Sequence, residues 1–228
     1  MIGPRSFTLR AAVLLALASV AIAGPRDAFV PALLPAFAPA NLQGPLVWPE
    51  EIDRVAVLPT HDATARLPER PLAGFDRAWR SAVQIPQRAE MVDVSRQQLS
   101  KWFRLRSFDS TSALPAGWAT KLADNTGAQA ALFIDLTTVE LYGPTILGFR
   151  VKLVNLADNA IIWMADETYD AADATVAEAV RRYVKRLKEP SRGSDPVSAF
   201  NQSPSRFAGF AFTQTLDRLP PRIAKKEP

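Results

Sequence analysis

The chain has 228 residues, of which 48% are hydrophobic, and its formal net charge is +4 at neutral pH. This length favours one globular domain with a substantial core over two full domains. The absence of cysteine excludes disulfides, thiolate metal sites, a catalytic cysteine and a lipid-modified N-terminal cysteine. A single histidine argues against a histidine-rich metal site. We therefore expect no metal and no cofactor.

The first 23 residues have the pattern of a secretory signal peptide. Arg5 and Arg10 provide a positive lead, an uncharged apolar run covers 11–20, and 21–23 has the small-x-small form of a cleavage site. The alternative is an uncleaved membrane anchor, but the run falls short of the ~20 residues that span a bilayer. We predict cleavage after Ala23 and a periplasmic or secreted protein that is not a lipoprotein. Cleavage removes two arginines and lowers the net charge to +2, which is too small to indicate nucleic-acid binding.

Residues 24–50 form a proline-rich apolar arm. Six prolines in this stretch rule out a regular helix and favour extended backbone. One interpretation is a strap that docks on a partner protein or on the outer membrane. The others are a segment packed along its own domain, and a simple linker. The candidate partner-binding side chains of the arm are Phe29, Leu34, Phe37 and Trp48.

An α/β domain is predicted from residue 51 to 189. Its first half alternates short strands with helices: a strand at 54–58, a helix at 72–83, a strand at 89–94, a helix from Ser95 and a further helix at 116–125. Ser95 and Gln98 have the spacing of a capping box, in which each side chain satisfies a free backbone amide of the other residue. Gly127 is placed to end the last of these helices.

Three strands are predicted between residues 130 and 170. The run from Ala131 to Leu136 is almost continuously apolar and indicates a strand covered on both faces. Residues 147–156 alternate apolar with cationic side chains, and the Asp158–Asn159 pair provides a turn into the strand that begins at Ile161. The sequence thus predicts a single small mixed sheet of about five strands flanked by helices, with a C-terminal β-hairpin and helix.

Two more helices follow the hairpin. The first is capped by Asp173, runs to about Lys188 and places Val176, Val180 and Val184 among its inward residues. Its outer face carries the remaining candidate partner-binding residues, Arg181, Arg182, Lys185 and Arg186. These cations either contact anionic lipid or wall polymer, or form a solvated face whose charges suit the helix C-terminus. After a polar loop at 190–203, a final helix is predicted at 204–219 that packs on the domain, and then a flexible tail at 220–228.

This order of elements, together with the phrases RVAVLP, GAQAALFIDL and VNLADNAIIW, resembles the periplasmic α/β domain of CsgG-like, TolB N-terminal-like and LpoB-like envelope proteins. The resemblance covers roughly residues 52–188. It implies a small sheet flanked by helices in an envelope assembly or adaptor protein. The chain lacks the cysteine of a lipobox, the transmembrane hairpins of a secretion pore and the repeats of a β-propeller, so it resembles a soluble periplasmic relative.

Three functions are weighed. The preferred one is a non-catalytic envelope adaptor that contacts a protein partner, or a second copy of itself, through a sheet edge, the arm or the final helix. The second is a carrier of a small apolar or lipidic ligand in a pocket lined by Trp79, Trp102, Trp118 or Trp163. The third is a hydrolase near His61 and Asp62, which follow the first strand. Its carboxylates would come from Asp135, Glu140, Asp166, Glu167, Asp170 and Asp173. The chain has no nucleophile elbow, phosphate loop or zinc spacing.

Overall fold

A computed structural model describes residues 37–84, 87–187, 198, 200 and 203–223. These belong to one compact unit, Leu34–Pro228. The predicted signal peptide, the first half of the arm with Phe29 and Leu34, and most of the 190–203 loop lie outside the described residues.

The described chain folds into seven strands and five helices that follow the predicted order. The strands are β1 (Leu42–Gln43), β2 (Arg54–Val57), β3 (His61–Asp62), β4 (Glu90–Asp93), β5 (Ala130–Glu140), β6 (Ile146–Asn155) and β7 (Ile161–Asp170). The helices are α1 (Glu69–Val83), α2 (Arg96–Phe103), α3 (Trp118–Thr126), α4 (Ala174–Leu187) and α5 (Pro204–Leu216). None of these helices is long and apolar enough to cross a membrane.

All these strands belong to one open mixed sheet in the order β1-β7-β6-β5-β2-β4, with β3 paired to the middle of β5. The β5–β6–β7 meander is antiparallel, whereas β2 pairs in parallel with both β4 and β5. The predicted mixed sheet flanked by helices is confirmed. The five predicted strands are the five longer ones; β1 and β3 have two residues each and are too short for periodicity to reveal.

The larger core lies on one face of the sheet, under α1, α4 and α5. Helix α5 lies in its interior, with eight of its 13 residues buried. Rings connect it to its neighbours: Phe212 packs edge-on against Trp79 of α1 at 4.6 Å and against Phe149 of β6 at 4.8 Å. The hydroxyls of Thr215 and Tyr169 lie 2.8 Å apart. The final helix is therefore part of the core, which leaves few of its side chains for contact with a partner.

A smaller core lies on the opposite face, where α2 and α3 cover β2 and the first half of β5. Phe108, Trp118 and Phe133 meet there at centroid distances of 5.4 to 6.3 Å. Residues Ala130 to Leu136 are buried throughout, which confirms that this strand is covered on both faces. The side chains of β6 and β7 on this second face are not covered to the same extent.

Helix boundaries follow the predicted capping chemistry in three cases. The Ser95–Gln98 capping box is present in full, with reciprocal side-chain to backbone hydrogen bonds. Gly127 ends α3 at a φ of 66°, in the left-handed region that favours glycine. The Asp173 carboxylate accepts hydrogen bonds from the backbone N–H groups of Thr175 and Val176 at the start of α4.

Other boundaries differ from the predictions. Helix α1 begins at Glu69, three residues early, and α5 ends at Leu216 rather than at residue 219. Ser203 precedes Pro204 as expected but makes no side-chain capping bond. At the end of α4, Leu187 is 47% exposed and lies outside the buried stripe.

Residues that we assigned to the flexible tail are instead attached to the domain. The backbone N–H of Trp48 donates to the carbonyl of Pro221 at 3.0 Å. Arg222 donates to the carbonyl of Arg88 and forms an ion pair with Asp53. The segments before the first long strand and after the last helix are therefore joined.

A buried ion pair connects the helices of the two faces. Asp76 of α1 and Arg96 of α2 make two hydrogen bonds of 2.8 and 3.0 Å, and their side chains are 8% and 14% exposed. Thr60, just beyond β2, contributes its N–H to Asp76 and its carbonyl to Arg96. Since all three groups are largely removed from water, each partner depends on the others for its hydrogen bonds.

We predict that Arg96→Met lowers the free energy of unfolding by about 3 kcal/mol, because it leaves the Asp76 carboxylate buried without its cation. The matched control is Arg80→Met, which breaks the half-exposed pair with Asp93 and should cost less than ~1 kcal/mol. Urea unfolding of both variants measures the difference. Equal effects of the two substitutions would contradict the assigned role of the buried pair.

Two glycines should respond to alanine in opposite directions. Gly209 lies inside α5 with no atom within 4 Å of an added Cβ, so Gly209→Ala should raise the free energy of unfolding by up to ~1 kcal/mol. Gly127→Ala should lower it by ~1 to 2 kcal/mol, because the backbone is left-handed there and the new Cβ would lie 2.9 Å from Nη1 of Arg54. Thermal unfolding of the two variants checks the signs.

Candidate functional site

The first residues proposed for catalysis, His61 and Asp62, form β3, which pairs with the middle of β5. Cross-strand pairing places His61 next to Asp135, Asp135 next to Arg150, and Arg150 next to Asp166. Directly paired residues project from the same face of a sheet. These four side chains therefore form a polar row across four strands, on the same face as α2 and α3.

Asp135 is the buried member of this row, with a side chain that is almost entirely excluded from solvent. It accepts hydrogen bonds from the backbone N–H and the hydroxyl of Ser110, in the loop between α2 and α3. Burial raises the pKa of Asp135, although the Ser110 hydrogen bonds and the charge of His61 act in the opposite direction. The carboxylate therefore anchors the loop on the sheet.

Other groups in the same region also hold the loop. Nδ1 of His61 lies 3.1 Å from the hydroxyl oxygen of Ser107. Asp109 accepts hydrogen bonds from Ser112 and Thr111, which lower its pKa to about 2. Nζ of Lys152, on β6, donates to the carbonyl of Ser110 at 2.8 Å. Side chains from three strands thus fix one loop in place.

Asp62, the neighbour of His61, closes its own turn. Its carboxylate accepts the backbone N–H groups of Thr64, Arg66 and Leu67. Burial acts to raise its pKa, but these hydrogen bonds and that of the Thr64 hydroxyl prevail and lower it. Asp62 is therefore a turn residue, with its lone pairs occupied by the backbone.

The remaining carboxylates proposed for hydrolysis do not converge with these. Asp166 pairs with Arg150, Glu167 accepts the N–H of Asn41, and Asp170 and Asp173 accept backbone N–H groups at the turn before α4. Glu140 is exposed at the end of β5. Among the described residues, no group of three or more His, Cys, Asp or Glu side chains is arranged to hold a metal ion. The carboxylates therefore do not form the paired cleft that the hydrolase hypothesis requires.

A groove of about 340 Å³ lies beside the polar row, between the α2–α3 loop and the β6–β7 hairpin. Its walls are mainly apolar and aromatic, and the polar residues are Lys152, Ser110 and Ser112 together with Asn159 in the hairpin turn. The apolar lining consists of Leu114, Trp118, Phe133, Val154 and Ile161. Of the four tryptophans proposed for a pocket, Trp118 lines this groove; Trp79 and Trp163 are buried in the larger core.

The sheet face next to the groove is open over β6 and β7. Arg150 and Asp166 form an ion pair there with side chains 28% and 31% exposed. Thr168 is exposed, and Met164, the cross-strand partner of Lys152, is half-buried. We call this the open sheet face: Arg150, Lys152, Met164, Asp166 and Thr168.

The candidate partner-binding residues from the sequence have different environments. Trp48 is 2% exposed and its Nε1 donates to the carbonyl of Ile52, so it belongs to the core and is not available to a partner. Phe37 is half-buried against Tyr169 at 4.8 Å. Parts of the described arm thus pack on its own domain, since Leu42 and Gln43 also pair with β7, whereas Leu46 and Val47 are exposed.

The basic residues of α4 remain on the outer surface. Arg181 and Arg182 both pair with Glu178, and the guanidinium of Arg186 lies 5.9 Å from the ring centroid of Tyr183. Lys185 is exposed. Sequence reasoning found this surface but missed the groove and the open sheet face. The available signal was the alternation of Arg150 and Lys152 with apolar residues in β6.

We predict that Asp135→Asn raises the free energy of unfolding at pH 8. The pKa of Asp135 is raised in the folded state, so the folded state binds its proton more readily than the unfolded state, and the charged form costs stability as the pH rises through the folded pKa. The asparagine retains an acceptor for Ser110 without the buried charge. Its advantage should shrink as the pH falls towards 4, which urea unfolding across pH measures.

Asp109→Asn is the control of opposite sign. The pKa of Asp109 is lowered to about 2, so its charge stabilises the fold above pH ~4 and this contribution is lost as the pH falls through the folded value. The asparagine variant should be less stable than the wild type at pH 8. If both substitutions shift stability in the same direction at pH 8, the assignment of Asp135 is wrong.

No protein-family model and no curated protein matches the chain. Among solved structures, it is similar to the PelC dodecamer from Paraburkholderia phytofirmans, with 15% identity over 80% of this chain and 98% of that chain and a TM-score of 0.44. The lipoprotein GNA1162 from Neisseria meningitidis has 14% identity over 59% and 97% of the two chains and a TM-score of 0.42.

The C-terminal domain of LpoB from Escherichia coli is a further similar structure, with 17% identity over 51% of this chain and 82% of that chain and a TM-score of 0.33. LpoB, named in the expected resemblance, is thus among the solved structures that the comparison returns. The comparisons give no support to the CsgG and TolB parts.

Proposed function

We propose that this chain is a non-catalytic protein of the bacterial cell envelope that acts as an assembly or adaptor module through protein–protein contacts. Its envelope location rests on the predicted signal peptide at 1–23. The partner surface is the open sheet face. One contrast carries the proposal. The face over β6 and β7 is partly open to solvent, whereas the carboxylates beside it already accept hydrogen bonds or form ion pairs within the protein.

The open sheet face has the composition of a recognition surface. It combines a cation–carboxylate pair, Arg150 and Asp166, with the flexible apolar side chain of Met164 and the cation of Lys152. Mixed polar and apolar surfaces of this kind are common in non-obligate protein complexes. The face lies on two paired strands, β6 and β7, so little backbone conformational entropy is lost when a partner binds.

The sheet edges are less suited to a partner. The β7 edge is paired over part of its length by β1. The β4 edge is four residues long and begins and ends with an acid, Glu90 and Asp93, each of which forms an ion pair with an arginine. Short edge strands with charged ends resist pairing with another strand. This favours the face of the sheet over its edges as the contact surface.

A photoreactive amino acid at Thr168 tests the proposal in cells. Thr168 is exposed on the open sheet face, so illumination should produce a defined adduct with an envelope protein, identified by mass spectrometry. The same amino acid at Lys185, on the outer face of α4, is the matched control and should give no such adduct. Deletion of the arm is a poorer test because it removes the buried Trp48.

A charge swap then examines the chemistry of the contact. The double variant Arg150→Asp with Asp166→Arg retains an internal ion pair but reverses the order of charges on the face, so the Thr168 adduct should be lost. Circular dichroism checks that the fold tolerates the carboxylate that Arg150→Asp places opposite Asp135. An adduct that survives the swap, or one that forms only from Lys185, would overturn the assignment of the open sheet face. Capture from Lys185 alone would instead favour the basic surface of α4.

The carrier function remains the second candidate, because the groove beside Trp118 combines an aromatic wall with a cation. A ligand carrier is distinguished from an adaptor by copurification of a small molecule with the monomeric protein.

A further inference from the structure

Lys152 is a cation without a carboxylate partner in the part of the chain that the structure describes. Its cross-strand neighbours are Phe133 and Met164, and its Nζ donates a hydrogen bond to the carbonyl of Ser110. An ammonium group has three N–H donors. By contrast Arg150, two residues away on the same face, is paired with Asp166. A positive charge at the side of the groove is therefore unbalanced.

The rest of the groove is suited to an apolar chain. Trp118 and Phe133 pack edge-on at 5.4 Å and provide an aromatic wall, and Leu114, Val154 and Ile161 add aliphatic surface. Ile161 is 53% exposed although it is a large apolar residue. An apolar ligand would remove this surface from water, which is the main favourable contribution to binding in such sites.

The backbone around the groove favours a ligand that is not a peptide. Peptides that bind extended usually pair with a free strand edge, but β6 is hydrogen-bonded to β5 on one side and to β7 on the other. The groove therefore offers few partners for the N–H and C=O groups of a peptide. An alkyl chain has no such groups to satisfy.

We propose that the groove binds an alkyl carboxylate, with the carboxylate at Nζ of Lys152 and the chain against Trp118 and Ile161. The charge of the ligand complements the unbalanced lysine, and its chain covers the aromatic wall. The ligand site shares Lys152 with the open sheet face, but the two proposals are tested separately: a decanoate measurement uses purified protein, whereas crosslinking in cells tests the adaptor surface.

Isothermal titration with decanoate below its micellar concentration tests the proposal on the wild-type chain, Lys152→Met and Lys185→Met. Loss of a charge-assisted hydrogen bond should weaken decanoate binding by about tenfold or more in Lys152→Met. Lys185→Met makes the same charge change on the other side of the molecule and should bind as the wild type does. Decanol, which has no charge, should bind equally to all three proteins.

A second variant protects the test against misfolding of Lys152→Met. Ile161→Asp changes a half-exposed residue at the rim and places a negative charge there, so it too should weaken decanoate binding, and circular dichroism checks the fold of each variant. No decanoate binding by the wild type, or equal binding by Lys152→Met, would overturn the proposal. Binding of an apolar pentapeptide with a free carboxyl end, in place of decanoate, would also overturn it.

Discussion

The structure depends on the burial of β5. This strand is paired on both sides, with β2 and β3 on one and β6 on the other, and its first seven residues are buried on both faces. It therefore joins the parallel half of the sheet to the antiparallel half and separates the two cores. A strand in this position must be almost wholly apolar, since no water reaches its side chains. The exception is Asp135, and its carboxylate is used to hold a loop.

The sequence predicts most of this architecture because the governing signals are local. The continuous apolar run of β5, the alternation in β6, the capping box at Ser95 and the glycine after α3 each act over a few residues. The same reasoning fails where distant segments decide the outcome. Trp48 was a candidate docking residue because the arm is rich in apolar side chains, with packing on its own domain as the alternative, and it is buried with its backbone N–H bonded to Pro221.

The candidate site was less predictable than the fold. His61 and Asp135 are 74 positions apart in the sequence and become neighbours only through parallel pairing of β3 with β5. The groove likewise needs the α2–α3 loop to cross the sheet, and that path is set by Asp135, His61 and Lys152 together. No local pattern encodes such a path. The acidic residues proposed for hydrolysis are likewise a poor guide to catalysis, because most of their carboxylates hold loops, turns or helix starts in place.

The position of α5 has a consequence for how the chain is made. The helix lies inside the larger core, against α1 and the sheet, although it is the last helix to be synthesised. A ribosome adds roughly 5 to 20 residues per second. The first strands are therefore synthesised several seconds before α5, the helix that completes their core. We therefore expect the domain to close only after synthesis is nearly finished.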